Sequence, residues 1–271
     1  MPMLRHAIVA VCVAGSALGA QNAAPSALGR DSVQKTFLTR RDLAISGGHL
    51  AVTAAISALD VRIARWWQSP ARHGDTSRAD FVRGLTAINE SPLTLAAIAV
   101  YGVGRLARSN TIADVGAHWT EAMILTVATS ELIRAPLGRV RPRASPDDQY
   151  NFELGGGFTK FEDRAFPSLH SAAGFATASV LAGEMRIRHA KAYRVAVPVL
   201  YAAALVPGVT RMYLNQHWAS DVFAGAYLGA LIGSRVVSYG HTHRTPVDRL
   251  LLGAMLIPDG HNGLRVGWSL P

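Results

Sequence analysis

Cysteine is almost missing: the single one, Cys12, lies within the first twenty residues. A chain cleaved after them has no disulfide, no thiolate metal site and no cysteine nucleophile. Charge is scarce at 17% of residues, and acid is scarcer than base: 18 Asp and Glu stand against 27 Lys and Arg, a net charge of +9. No basic stripe is interleaved with aromatics, which argues against a nucleic-acid partner. Attraction to anionic lipid head groups and a solvated basic face both account for the balance. Internal repeats and low-complexity tracts are absent. Beyond the leader, the apolar runs fall short of the roughly twenty residues that a bilayer span asks for. His49 interrupts Leu43 to Leu59, two prolines fall between Val195 and Thr210, and Glu121 and Glu131 enclose only nine residues.

What is present is apolar. Hydrophobic residues make up 49% and the mean hydropathy is +0.18, which fits a helical protein at or in a membrane. Residues 1–20 carry one Arg5, an apolar run from Ala7 to Leu18 and small residues at the end. This is the layout of a secretory signal cut after Gly19 or Ala20, with an uncleaved N-terminal anchor as the alternative. Val11 before Cys12 is too large for the usual lipoprotein signal. Ala-rich apolar segments follow at about 43–59, 92–107, 117–134, 169–185, 194–210 and 218–237. Their length and lack of alternation make them helices. The fold expected is therefore all-α, a bundle of about six core helices, membrane-embedded or membrane-associated. Within it, 21–89 reads as a lead-in with one helix, polar over 65–84, and 239–271 as a tail. In that tail Leu264, Val266 and Trp268 alternate like one short strand.

Three stretches carry chemistry. In "RAPLGRVRP" (134–142), Arg134 closes a helix and Arg141 is pushed towards an extended backbone by Pro142. Two planar guanidiniums so placed can converge on a multi-oxygen anion; capping a helix and meeting lipid phosphates is the plainer account. In "FPSLHSAAGF" (166–175), Ser168 and His170 stand at a helix entrance, where unpaired N–H groups and the macrodipole favour an anion. The plainer account is a cap and a first-turn residue. In "TRMYLNQHWASD" (210–221), His217 and Asp221 are four apart on one helical face. A carboxylate accepting from one ring nitrogen leaves the other as an oriented nucleophile or base; a satisfied core histidine is the alternative. The acids of the 141–164 break, Asp147, Asp148, Glu162 and Asp163, read as a solvated loop face rather than metal ligands.

Together these stretches resemble the type 2 phosphatidic acid phosphatase and vanadium-dependent haloperoxidase superfamily. The family pattern is Lys-x6-Arg-Pro, Pro-Ser-Gly-His and Ser-Arg-x5-His-x3-Asp. Here it reads Arg134-x6-Arg141-Pro142, Pro167-Ser168-Leu169-His170 and Thr210-Arg211-x5-His217-x3-Asp221. Order and internal spacing match over about 90–238, which marks the catalytic core. Arg134 for Lys keeps the charge and Thr210 for Ser keeps the hydroxyl. Leu169 for Gly puts a side chain where the family's backbone N–H approaches phosphate.

The resemblance implies a metal-independent phosphatase of a lipid phosphomonoester or diphosphate. His217 is then the nucleophile that forms a phosphohistidine, Asp221 orients it, and His170 serves as general acid and then base. Arg134, Arg141 and Arg211 hold the non-bridging oxygens with Ser168 and the N–H groups at Leu169. No cofactor is implied, and vanadate is expected as an inhibitor. The family also offers a lipid phosphotransferase and, with vanadate as cofactor, a haloperoxidase; a non-catalytic lipid-phosphate binder is the non-enzymatic alternative. The expected partners are a lipid phosphate and the membrane. The expected place is a bacterial-type cell envelope with the site facing periplasm or exterior, and nothing in the sequence fixes an oligomeric state.

Overall fold

A computed structural model describes residues 36–243, 254–259 and 263–268. The expected signal at 1–20, with Arg5 and Cys12, and the lead-in as far as 35 lie outside the described residues. Nine helices occur among those described: α1 (Arg40–Ser57), α2 (Asp60–Trp67), α3 (Pro70–His73), α4 (Thr76–Leu85), α5 (Glu90–Leu106), α6 (Asn110–Leu137), α7 (Leu169–Ile187), α8 (Tyr193–Tyr213) and α9 (Ala219–Gly240). The six expected helices are all present, each longer than its apolar run, and polar caps begin several of them. Thr39 and Asp42 close a reciprocal capping box on α1, and the side chains of Asn89 and Ser109 cap α5 and α6.

Two expectations about the flanks are corrected. The polar stretch 65–84 forms helical turns, with Asp75 capping α4, so the described part of the lead-in, residues 36–89, carries four helices and not one. The tail strand β2 (Gly263–Trp268) is not alone. It pairs antiparallel with β1 (Ala254–Asp259), which contains a proline.

The core lies where α6, α7 and α9 meet, around Trp119, Met123, Ala173, Ala176, Val180 and Val236. Small residues set how close the helices come. A Cβ on Gly225, Gly229 or Gly233 would sit 2.3, 1.9 and 2.6 Å from the carbonyl oxygens of Ser168, Ala172 and Ala176. The "AGAYLGALIGS" run is thus a stripe on α9 against which the α7 backbone lies directly, in parallel register. Parallel register puts both N-termini at one end of the bundle. The N-terminal helices clasp α9: Asp42 pairs with Arg235 at 2.6 Å, and His49 stacks on Tyr227.

Among the described residues, α8 and α9 are long and apolar enough to cross a membrane; α1 and α2, bent by 59°, qualify together as a third span. α8 runs through Pro198 and Pro207 without a break. Leu43, Leu50, Leu95, Leu132, Val195 and Val199, all on helices, are more than 60% exposed.

Candidate active site

Chain direction brings four helix ends together. α7 and α9 begin at one end of the bundle, while α6 and α8 run the other way and finish there. Ser168 and His170 at the start of α7 therefore meet Arg134 from the end of α6, Arg211 from the end of α8, and His217 and Asp221 at the start of α9. Gly138 turns the chain out of α6 with φ of +64°, and a Cβ there would lie 1.7 Å from the Glu153 carbonyl oxygen, so only glycine fits. The chain then runs extended, as Pro142 dictates, with Arg141 N–H donating to Glu162 O and Ala165 N–H to Arg139 O.

Of the expected arginines, Arg134 and Arg141 are buried and Arg211 is half-buried. Arg141 donates to Gln216 Oε1 at 2.8 Å and to the Phe161 carbonyl, its guanidinium lying over the Phe161 ring at 4.1 Å. Arg134 donates to the Arg164 carbonyl at 3.0 Å. Arg211 donates from Nη2 to His170 Nε2. Ser168 occupies the N-cap position of α7, yet its side chain makes no cap bond; the plainer cap account holds for its place and not for its hydroxyl. Leu169 is buried beside it, at 5% exposure. Thr210 turns its hydroxyl to the Pro207 carbonyl at 2.8 Å, back into its own helix.

Six buried polar atoms here have no hydrogen-bond partner in the protein: Arg134 Nε, Ser168 Oγ, His170 Nδ1, Arg211 Nε, His217 Nε2 and Glu90 Oε2. Buried polar groups are ordinarily satisfied, so donors and ring nitrogens left over in one place mark a site for a polar ligand. Two helix N-termini and three guanidiniums around it make the arrangement suited to an anion.

His217 differs from its expected partnership. Its Nδ1 donates to the Ala165 carbonyl at 2.7 Å, while Asp221 Oδ2 stands 3.7 Å from that nitrogen, within ion-pairing range but beyond a hydrogen bond. The expected Asp221 contact is displaced because both carboxylate oxygens are engaged elsewhere. Oδ2 accepts from Trp218 N–H at 2.8 Å and Oδ1 from Arg139 at 2.6 Å. The Ala165 bond still fixes the tautomer and leaves the Nε2 lone pair free. Burial, then the Arg141 and Arg134 guanidiniums, hold His217 well below the usual histidine pKa, so it is neutral. Burial and Arg211 push His170 down to about 2. The two rings are 6.3 Å apart, centroid to centroid.

Three groups in or beside the site escape the motif-based reading. Arg139 is buried and donates to Asp221, Ser220, Asp60 and the Gln149 carbonyl. Asp60, fully buried on α2, accepts from Arg139 at 2.9 Å and from the backbone and hydroxyl of Ser220. It is the one acid between Asp42 and Asp75, which was a readable signal in an apolar run. Glu90, at the start of α5, places Oε2 3.6 Å from His170 Nε2. Among the loop acids, Asp147 pairs with Arg65 and Glu162 with Arg143, as a solvated face would, but Asp163 departs from that expectation: it is buried, with Lys160 at 3.9 Å.

Comparison with known proteins gives three findings. The PAP2 superfamily model matches residues 116–244. Over 69 residues the chain is 41% identical to lipid A 1-phosphatase of Porphyromonas gingivalis, a match covering 26% of this chain and 15% of that protein. The matching part is thus a small fraction of that relative's length. Among solved structures, the first transmembrane PAP2 type phosphatidylglycerolphosphate phosphatase from Bacillus subtilis is similar at 20% identity and a TM-score of 0.49, over 70% of this chain and 93% of that one.

Proposed function

We propose that the chain, whose residues 116–244 match the PAP2 superfamily model, hydrolyses a lipid phosphomonoester or diphosphate through a phosphohistidine on His217. The observation that carries this reading is the unpartnered His217 Nε2, a neutral nucleophile set among arginines.

In this mechanism Nε2 attacks phosphorus, and the P–O bond to the lipid breaks as the P–N bond forms. Arg134, Arg141 and Arg211 hold the non-bridging oxygens with Ser168 Oγ and the first N–H groups of α7, compensating charge as it develops. The arriving phosphate offsets the arginine charge that depresses His170, so the imidazole takes up a proton. As imidazolium it protonates the leaving alkoxide, then as base it takes a proton from the water that cleaves the P–N bond. Arg211, Glu90 and His170 form the chain of contacts through which this charge balance acts.

A lipid substrate and a membrane setting draw support from the apolar outer faces of α1, α5 and α8 and from the two spanning-length helices. The reading includes a site open to the periplasm or exterior, independence from added metal, and inhibition by vanadate. The test is phosphate release from phosphatidate, an isoprenyl diphosphate and a lipid A phosphate with EDTA present, comparing wild type with His217→Ala. Metal-independent release that is lost in the variant is expected; full activity in His217→Ala overturns the assignment.

A further inference from the structure

The end of the bundle opposite the phosphate site holds a second cluster of polar side chains that the proposed reaction does not use. His118 comes from the first half of α6, Glu184 from the last turn of α7, and His241 caps α9. From His170 to Glu184 is fourteen residues of α7, about 21 Å at 1.5 Å per residue, so this cluster is remote from the chemistry.

Its geometry is specific. His118 Nδ1 lies 2.6 Å and His241 Nε2 3.0 Å from the same oxygen, Glu184 Oε1. One nitrogen from each imidazole and one carboxylate oxygen fall within 4.8 Å of one another. The ring of His118 has no other way to face: a Cβ on Gly240 would lie 2.4 Å from its Nε2, so the α9 backbone packs against that edge and turns Nδ1 towards Glu184. Glu184 is 2% exposed and His118 9%, whereas the His241 side chain keeps 25% exposure, which leaves a way in.

The surrounding charge favours a cation. Arg188 pairs with the other oxygen, Glu184 Oε2, at 2.8 Å and with Asp114 at 3.5 Å. With Glu121 also acting on His118, three carboxylates stand against one guanidinium. Two imidazoles and a carboxylate are a donor set of the kind zinc takes, the metal displacing any proton on the binding nitrogens. Ligand atoms around a tetrahedral zinc sit about 3.3 Å apart, so admitting the ion requires the 2.6 and 3.0 Å contacts to Oε1 to open by about 0.7 and 0.3 Å and the two ring nitrogens, within 4.8 Å of one another, to draw together.

We propose that His118, Glu184 and His241 bind a divalent transition metal, zinc being the best chemical match, and that this ion ties the ends of α6, α7 and α9 together. The role is structural and separate from phosphate hydrolysis. Three protein ligands leave the fourth position to solvent on the exposed His241 side.

The experiment uses the full chain, untagged, purified in detergent. Metal content is measured as purified; the protein is then stripped with chelator, titrated with zinc, and melted with and without the ion. Wild type is expected to bind one equivalent and to melt higher with zinc. His241→Ala removes the least buried ligand and is the variant most certain to fold. It is expected to lose more than about 100-fold in zinc affinity, since even an outer-shell partner costs 10–100-fold, and to show no zinc-dependent rise in melting. Cobalt in place of zinc gives visible absorption that reports ligand type, expected in wild type and lost in Glu184→Gln. Wild type that takes up no zinc, or His241→Ala that binds it equally well, overturns the proposal. None of these readouts depends on phosphatase activity, so a failed phosphatase assignment leaves the test intact.

Discussion

Gly229→Ala is the sharpest test of how the fold builds the phosphate site. The new Cβ would sit 1.9 Å from the Ala172 carbonyl oxygen and 2.7 Å from its carbon. Ordinary carbon–oxygen approach is about 3.3–3.6 Å, so α7 and α9 must part by about 1.4 Å or more. Overpacking of this kind costs about 1–3 kcal/mol. At roughly 2–4 °C per kcal/mol for a chain of this size, the midpoint falls by about 2–12 °C. The effect on rate should be larger in proportion, because α7 carries His170 and α9 follows His217. A 1 Å misplacement of reacting groups can cost about 100-fold. We expect kcat for phosphate release to fall about 100-fold in protein that remains folded. Gly233→Ala, whose Cβ would be 2.6 Å from the Ala176 oxygen, should fall between Gly229→Ala and wild type. Gly102→Ala, with nothing within 4 Å of the new atom, is the control. It removes backbone freedom from α5 and should be neutral or slightly stabilising. Wild-type kcat and midpoint in Gly229→Ala would refute the idea that direct backbone contact of these helices sets the distance between the two histidines.

Two further outcomes follow from the buried charges. Asp60→Ala removes one partner of Arg139 and the acceptor of Ser220; breaking a buried pair in this way costs about 3–5 kcal/mol, read as a large drop in unfolding midpoint, and a change within about 0.5 kcal/mol would contradict the network. His217 is depressed when folded, so the unfolded chain binds the extra proton. Stability is then complete above the unfolded value of about 6.5 and declines as pH falls below it, by up to about 1.4 kcal/mol per pH unit for this one group. His217→Gln should flatten the profile relative to wild type between about pH 6.5 and 4.5, and parallel profiles would remove the buried neutral imidazole from the account.

Much of the fold and the motif residues of the candidate site were legible because both are written locally. Helices 43–59 through 218–237 announce themselves as apolar runs, and the spacing brings His217 and Asp221 close, although His217 precedes α9 and stands 3.7 Å from the carboxylate rather than hydrogen-bonded to it. What escaped is non-local or masked by polarity. The helices between 60 and 85 carry charge on most turns and read as loop, although Asp75 is a good cap. The capping box of Thr39 and Asp42 lies inside a stretch that composition assigns to a loose lead-in, and Pro258 hides the partner strand of the tail hairpin. Arg139 stands between two arginines of the pattern and looks like neither. Its partners are Asp60, 79 residues away, and Asp221, 82 residues away, and no spacing rule joins them. The His118, Glu184 and His241 cluster escaped for the same reason.

The Arg139 network also gives Asp221 a role other than direct orientation of the histidine. Its two oxygens hold Trp218 N–H and Arg139, and its carbonyl accepts the Ser168 N–H at 3.0 Å. Asp221 thereby fixes the turn into α9, on which His217 stands, to the turn into α7, on which Ser168 and His170 stand. Arg139 extends the clamp: its Nη2 reaches Asp60 on α2, and Ala165 N–H donates to its carbonyl. The Ala165 carbonyl on the next side of that peptide takes the His217 Nδ1 proton. The carboxylate acts on the imidazole through its charge at 3.7 Å and through the backbone it holds in place. N-terminal helix α2, outside the matched family segment, contributes the acid that completes this clamp, which gives residues before 90 a direct part in positioning the candidate site.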